Sequence, residues 1–260
     1  MGCNAMVWGT GVVNERKFLE LLDWIMSYEP SAEFVKLFAG ANEPVKELSE
    51  ALTVFKRIYD DTRTRTRDTI VLEVCSGSRA PVAVLTALFI KRGRGWATDI
   101  CDMDPRVVEL SNRLGEKLKL FPRISIHSRR FVELMKLARE SCEYLIVVAI
   151  HICKMMAVRV LEVFKKIGGD RLILVPCCAK PSWAKMSVGV EIHSYWDWVY
   201  ALWKYAYEKL GLPARVELED AMLSEANAII DVDMEIAAKE SKVLEYSYEQ
   251  PTVDAEIAER

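Results

Sequence analysis

From residue 69 to residue 232 the chain alternates short apolar runs with amphipathic segments, and that alternation leaves few folds open. The apolar runs read as strands at Ile70–Cys75, Trp96–Asp102, Arg123–His127, Tyr144–His151 and Arg171–Cys177. Between them stand the helical patterns Ala80–Lys91, Pro105–Lys119, Phe131–Glu140 and Met155–Lys166. The helix Ser194–Leu210 follows the fifth run, and two further strands are expected at Ala214–Leu218 and Ala228–Val232. Strands with helices on both flanks belong in a parallel sheet covered on both faces. The expected fold is therefore α/β: a doubly wound, mostly parallel, seven-stranded Rossmann-like sheet.

Residues 14–60 read as helix throughout, with Phe18, Leu21, Leu22, Ile25 and Met26 opening the 3–4 spacing. Pro30 and Pro44 suit first turns, where a missing N–H costs nothing. The helices end in Asp60-Asp61-Thr62-Arg63-Thr64-Arg65-Thr66-Arg67-Asp68, a polar linker. This gives an N-terminal helical extension over 1–68 and a Rossmann-like domain over 69–260. A chain of 260 residues suits one large domain with such an extension. With 51% hydrophobic and 28% charged residues, wholesale disorder is excluded. No apolar stretch reaches the ~18–20 residues of a membrane span. The start Met1-Gly2-Cys3-Asn4 lacks a secretory pattern, and Met6 replaces the Ser or Thr of a myristoylation signal. A cytoplasmic location without membrane partners is expected.

Seven cysteines, an odd number, argue against a secreted disulfide framework. With no C-x-x-C pair and three histidines (127, 151 and 193), no metal site is expected. Asn and Gln total six, which together with the charge content leans towards a thermophilic source. The net charge of −3 is unevenly spread. Residues 217–260 carry 13 acids and 3 bases, a balance of −10, so the first 216 residues hold +7. A basic body is compatible with a nucleic-acid substrate, and equally with a solvated surface.

The first strand runs into Glu73-Val74-Cys75-Ser76-Gly77-Ser78-Arg79-Ala80-Pro81. Small residues around one glycine let backbone N–H groups approach a ligand, with Glu73 at the edge of the loop. One glycine does not make the dinucleotide G-x-G-x-x-G pattern, so a nicotinamide oxidoreductase is disfavoured. The second strand ends Thr98-Asp99-Ile100-Cys101-Asp102-Met103-Asp104-Pro105. An acid there can accept from two vicinal ribose hydroxyls; Asp102 is the first choice, Asp99 the second, and Asp104 suits a helix cap. His151-Ile152-Cys153-Lys154 and Pro176-Cys177-Cys178 end the fourth and fifth strands. His151 can act as a base near neutral pH. The cysteines suit nucleophiles, ligands or plain packing. The aromatic helix carrying Tyr195, Trp196, Trp198, Tyr200, Trp203, Tyr205 and Tyr207 suits either base stacking or packing. Arg63, Arg65 and Arg67 suit either phosphate contacts or a solvated linker.

Taken together, the loop 73–79, the acid-to-proline step 102–105, the His-x-Cys at 151–153 and the Pro-Cys-Cys at 176–178 resemble a class I S-adenosylmethionine-dependent methyltransferase. The pattern is similar to the branch of the acceptor-stem tRNA 2′-O-methyltransferases and of the methyltransferase domain of the glutathione S-transferase C-terminal-domain-containing protein. The resemblance covers about residues 69–178. It implies that Glu73, Cys75, Ser76, Gly77 and Ser78 line the methionine half of the cofactor. Asp102 would take its ribose, and Asp99, Met103, Ser128, Arg129, Ala149 and His151 complete the expected cofactor-binding residues. His151 and Cys153 would face the methyl group, with His151 the expected catalytic base and Lys154 in reserve. Pro176, Cys177, Cys178 and Trp196 would shape the substrate side. Arg79 stands where the family has its third glycine, Lys154 replaces the glycine after His-x-Cys, and Arg129-Arg130 replace an acid near the adenine. The leading expectation is a methyltransferase acting on RNA, tRNA in particular. Alternatives are a small-molecule methyltransferase, which a pI of 5.8 tolerates, and a non-catalytic cofactor- or RNA-binding module with a degenerate loop at Arg79.

Overall fold

Strand β4 (Tyr144–Ile152) is buried along its first six residues and runs through the middle of the sheet, as its unbroken apolar sequence requires. A computed structural model describes residues 13–224 and 227–235 of the chain. Around β4 lie β1 (Thr69–Val74), β2 (Gly93–Thr98), β3 (Leu118–Phe121), β5 (Arg171–Pro176), β6 (Ala214–Leu218) and β7 (Ala228–Asp233). They form one seven-stranded sheet in the order β3-β2-β1-β4-β5-β7-β6. The first five strands pair in parallel, and β7 joins β5 and β6 antiparallel. The sequence order of strands reverses between β1 and β4, and the crevice outside their carboxyl ends is where doubly wound sheets bind ligands.

Helices cover both faces. Helices α6 (Arg129–Glu140), α7 (Met155–Ile167), α8 (Pro181–Val188) and α9 (Tyr195–Lys204) close one hydrophobic core with Trp96, Leu145, Val147 and Leu172. On the other face α4 (Pro81–Phe89) and α5 (Pro105–Leu114) share a core with the N-terminal helices α1 (Glu15–Met26), α2 (Ser31–Lys36) and α3 (Pro44–Thr62). Phe34, Leu52, Phe55 and Ile58 are fully buried there against Val82, Val84, Leu85, Ile146 and Val148. Gly95 allows the closest approach of helix and sheet: a Cβ on it would lie 1.8 Å from the Ala83 carbonyl oxygen.

Three elements differ from the sequence reading. The third strand is Leu118–Phe121, not Arg123–His127; it is a four-residue edge strand whose Lys119 breaks the apolar run. Ile124 and Ile126 are buried all the same, because the Ile124 N–H donates to the Asp99 carbonyl and ties this loop under the sheet's edge. Helix α8 has no counterpart in the predicted elements; its short Pro-Ser-Trp-Ala sequence reads as loop. At two of its positions the arginine-rich linker is paired with acids, Arg67 while still half exposed. Arg65 lies between Asp61 and Glu235, at 2.6 Å from each, and over the Tyr144 ring, while Arg67 also pairs with Glu235. Residues 225 and 226, Cys3, and the acidic tail beyond 235 lie outside the described residues. Among the described residues no helix is long and apolar enough to cross a membrane.

Candidate active site

Strand β1 delivers the loop 75–80 to the crevice in a conformation that its sequence resists. Cys75 and Ala80 both adopt left-handed backbone, φ 53° and 45°, where a Cβ is strained. Gly77, at φ 63°, has open space where a Cβ would be, so its backbone is approachable from the crevice. Glu73 is buried behind the loop, and its Oε2 accepts the Ala83 N–H at 2.8 Å inside the first turn of α4. Burial pushes its carboxyl up to about 8, against the pull of the α4 backbone N–H groups. Glu73 therefore braces the loop and exposes no carboxylate to a ligand.

The acid at the carboxyl end of β2 is Asp99, which directly follows Thr98. It is 9% exposed, and its two oxygens accept the N–H groups of Gly77 and Cys101, each at 2.9 Å. Each oxygen keeps acceptor capacity for a hydroxyl. Asp102, the first choice from sequence, is corrected by this geometry. Its side chain is 66% exposed and is gripped by Arg123 at 2.7 and 2.9 Å. That pairing holds its carboxyl below the usual range. Met103 is buried in the core shared with the N-terminal helices. Asp104 caps α5 through the Arg106 N–H. Ser76 and Ser78 are half-buried in the loop, and the Ser78 carbonyl accepts the Asp104 N–H, fastening the two loops together.

Five further expected residues sit differently. Ala149 is wholly buried within β4 and offers no surface to a ligand. Ser128 caps α6 through the Phe131 N–H. Arg129 is turned to solvent and paired with Glu133 one turn on. Pro176 is buried at the end of β5, where its carbonyl accepts the Tyr195 hydroxyl at 3.2 Å. Trp196, next along, is half-buried edge-on to Tyr195. The remaining aromatics of this helix mostly pack: Trp198 is buried against Trp183, while Tyr200, Trp203 and Tyr207 stack on one another.

The β4 end is shaped by a bulge. Pairing with β5 shifts between Ile150 and Ile152, leaving His151 as the extra residue in left-handed backbone, φ 53°. Its imidazole meets the buried carboxylate of Glu50 from α3: Nε2 and Oε1 are 2.6 Å apart. Both atoms are shielded from solvent, are not aligned as a hydrogen bond, and have no other hydrogen-bond partner. Glu50, 2% exposed, escaped the sequence reading because it lies in a helix that reads as a peripheral extension. Its signal was a carboxylate on the apolar face of α3, one residue before Ala51 and Leu52, where an unpartnered charge is costly.

Arg79 follows the same logic. Its guanidinium leaves the loop and binds the Leu37 carbonyl at 3.0 Å and Glu47 at 3.1 Å. It ties the ligand loop to α2 and α3 and does not fill the crevice. Lys154 adopts φ 49°, ψ −128°, a conformation suited to the glycine it replaces. With Lys180, His127, Cys153 and Met156 it lines an open pocket of about 520 Å³ beside the β4 and β5 ends. Cys153, Cys177 and Cys178 converge there: Sγ–Sγ distances are 3.6 Å for Cys153–Cys178 and 3.1 Å for Cys177–Cys178. The neighbouring thiols and His151 pull Cys153 below the ordinary thiol range, while Cys177 is pushed up beside it. Cys75 is half-buried, and desolvation together with the nearby Asp99 pushes its thiol up to about 12.

The order and direction of the strands are those of a Rossmann-like methyltransferase sheet. The profile of a family described as "Methyltransferase domain" matches residues 44–181, from the first residue of α3 to the first residue of α8, and the chain belongs to that family. It is an S-adenosylmethionine-dependent methyltransferase. A search of curated proteins finds no match. Among solved structures, the chain is similar to the antibiotic-resistance methyltransferase Kmr at 14% identity, with 69% of this chain and 92% of that one covered and a TM-score of 0.42. It is similar to the CurJ carbon methyltransferase at 12% identity, covering 85% and 71% with a TM-score of 0.45. A methyltransferase from Aquifex aeolicus aligns at 15% identity over 79% and 97%, with a TM-score of 0.39.

The crevice fits S-adenosylmethionine at two points on its own geometry. Gly77 presents approachable backbone, and Asp99 holds a nearly buried carboxylate with acceptor capacity left over. Near the expected adenine position Ser128 and Arg129 supply no such group, being a cap and a solvent-facing ion pair.

Proposed function

We propose that this chain methylates RNA, with tRNA the favoured substrate, and that Asp99 holds the cofactor ribose while His151 takes the acceptor's proton. S-adenosylmethionine supplies an electrophilic methyl group on a sulfonium. Most of the rate gain in such a transfer comes from alignment, for which effective molarities of roughly 10⁵–10⁸ M are the measure. A hydroxyl acceptor still needs a base, and the buried Glu50 carboxylate orients the His151 ring for that task. With Nε2 2.6 Å from Glu50 Oε1, Nδ1 is the nitrogen left to receive the proton.

The RNA reading is carried by the charge at the mouth of the crevice. Helices α4 to α8 all start at the carboxyl edge of the sheet, and none has an acid in its first turn. Lys154 and Lys180 occupy the caps of α7 and α8, and Arg130 stands in the first turn of α6. Cations oppose the helix dipole there, and these three form no ion pair among the described residues. A polyanion laid across the mouth neutralises both. This supports a phosphate-rich acceptor over a small neutral metabolite. The course of Arg79 away from the loop removes the main ground for a non-catalytic module.

The test is transfer of labelled methyl from S-adenosylmethionine into a tRNA pool, alongside RNA binding at rising salt. Labelled tRNA and an affinity that falls steeply with salt are expected, with a shallower salt slope after Lys154→Ala and Lys180→Ala. Label confined to small metabolites, with salt-independent binding, would contradict it.

A further inference from the structure

No C-x-x-C pair sets thiols at metal-ligand spacing along the sequence. The fold brings them together from two loops. Strands β4 and β5 are neighbours, so the His-x-Cys that ends one and the Pro-Cys-Cys that ends the other meet at the carboxyl edge. Among the described residues, Cys153, Cys177 and Cys178 are the one group with ligand atoms close enough to share a metal ion, all three sulfurs lying within 4.8 Å of one another. Two thiolates sharing a metal at about 2.3 Å each must stand roughly 3.5–4.5 Å apart. The Cys153–Cys178 separation of 3.6 Å already meets this, and Cys177–Cys178 at 3.1 Å needs only a small side-chain rotation.

The backbone around the sulfurs is fixed. The Cys177 N–H donates to the Ile152 carbonyl at 3.1 Å and the Lys154 N–H to the Cys178 carbonyl at 2.9 Å. These two bonds lock the loops in register on either side of the sulfur triangle. The strained backbone at His151 and Lys154 is the local cost of bringing Cys153 to face its partners. All three cysteines are half-buried, and Cys153 borders the pocket that Lys154 and Lys180 line. Packing alone does not call for three thiols in one triangle at the mouth of a ligand crevice, since small apolar residues fill such space with less polarity.

We propose that Cys153, Cys177 and Cys178 bind one thiophilic metal ion through three thiolates. All-sulfur donor sets select zinc(II) and copper(I) over magnesium, calcium or manganese. Three protein ligands leave a zinc ion one position for an exogenous ligand, as in zinc sites that act on substrates. That position opens towards the pocket beside Lys154 and Lys180, whose charges offset the surplus negative charge of three thiolates. The inference stands apart from the methyltransferase reading, because the site is defined without cofactor or acceptor.

The test uses the full-length protein, reduced and desalted without oxygen, then given zinc(II), copper(I) or cobalt(II) in separate samples. One equivalent of zinc or copper(I) is expected to stay bound per chain by elemental analysis, the better-held ion telling the coordination preference. The cobalt sample is expected to show sulfur-to-cobalt charge-transfer absorption, a signature that needs no variant to fold. Cys153→Ser, Cys177→Ser and Cys178→Ser should each weaken binding by more than about 100-fold, exceeding the usual effect of an outer-shell change. Cys101→Ser and Cys142→Ser should bind as the parent does, and circular dichroism identifies any variant that fails to fold. No retained metal and no charge-transfer band would overturn the proposal. So would retention that survives the loss of any of the three sulfurs.

Discussion

Glu50 Oε1 lies 2.6 Å from His151 Nε2, joining a helix outside the sheet to the residue that bulges from the end of β4. Among the described residues the two atoms have no other hydrogen-bond partner, so each constrains the other's orientation and proton placement. His151→Ala should lower kcat by roughly 10²-fold or more, the scale of general-base catalysis, with S-adenosylhomocysteine affinity unchanged. Glu50→Gln should lower kcat less and alter its pH profile, and the double variant should resemble His151→Ala. Additive losses in stopped-time assays would show that the two residues act separately.

The two acids after β2 should separate cleanly. Asp99→Ala removes a nearly buried carboxylate facing the loop and should lose roughly 1.5–3 kcal/mol of cofactor affinity. Asp102→Ala removes an exposed partner of Arg123 and should leave that affinity as it was. Calorimetry on both variants decides the matter; the opposite ranking would restore the sequence-based choice.

Glu73 sets a pH dependence of stability. Its folded carboxyl titrates at about 8, against 4.5 when exposed, so the folded chain keeps a proton that the unfolded chain releases. This contribution makes stability fall as pH rises from about 4.5 to about 8, with the full penalty above that. Glu73→Gln keeps an acceptor for the Ala83 N–H without the charge. Its Tm should gain on that of the parent steadily between pH 5 and pH 8. Parallel Tm curves for the two proteins would contradict a raised carboxyl.

Backbone constraints give two predictions of opposite sign. Gly95→Ala drives a methyl into the Ala83 carbonyl and should destabilise by about 3 kcal/mol or more in urea titrations. Lys154→Gly relieves a backbone of φ 49°, ψ −128° and should stabilise by about 1 kcal/mol after the glycine's own entropy is counted. A destabilised Lys154→Gly would mean that the side chain contributes more than the strain costs.

Much of the sheet was legible because β1, β4 and β5 are buried on both faces and almost wholly apolar, Glu73 being the one acid among them. The edge strand β3 was not, since Leu-Lys-Leu-Phe has one buried residue and lacks the run that marks an inner strand. At the site, Asp99 and Asp102 were both visible, but their ranking depends on where β2 stops, and strand ends are weakly encoded. Asp102 looked better by its distance from Pro105; the strand in fact ends at Thr98. Glu50 and the course of Arg79 were invisible for another reason. Each acts across the packing of α3 on the sheet, which no local pattern records. The thiol triangle was half legible: both motifs stood out, and only the adjacency of β4 and β5 joins them.

The central claim is that the crevice over β1, β2 and β4 binds S-adenosylmethionine. Calorimetric titration of the full-length protein with S-adenosylhomocysteine, with NAD as control, tests it most directly. The account predicts one saturable site for S-adenosylhomocysteine and none for NAD. Absence of binding to S-adenosylhomocysteine by folded protein, or equal binding of both ligands, would contradict it.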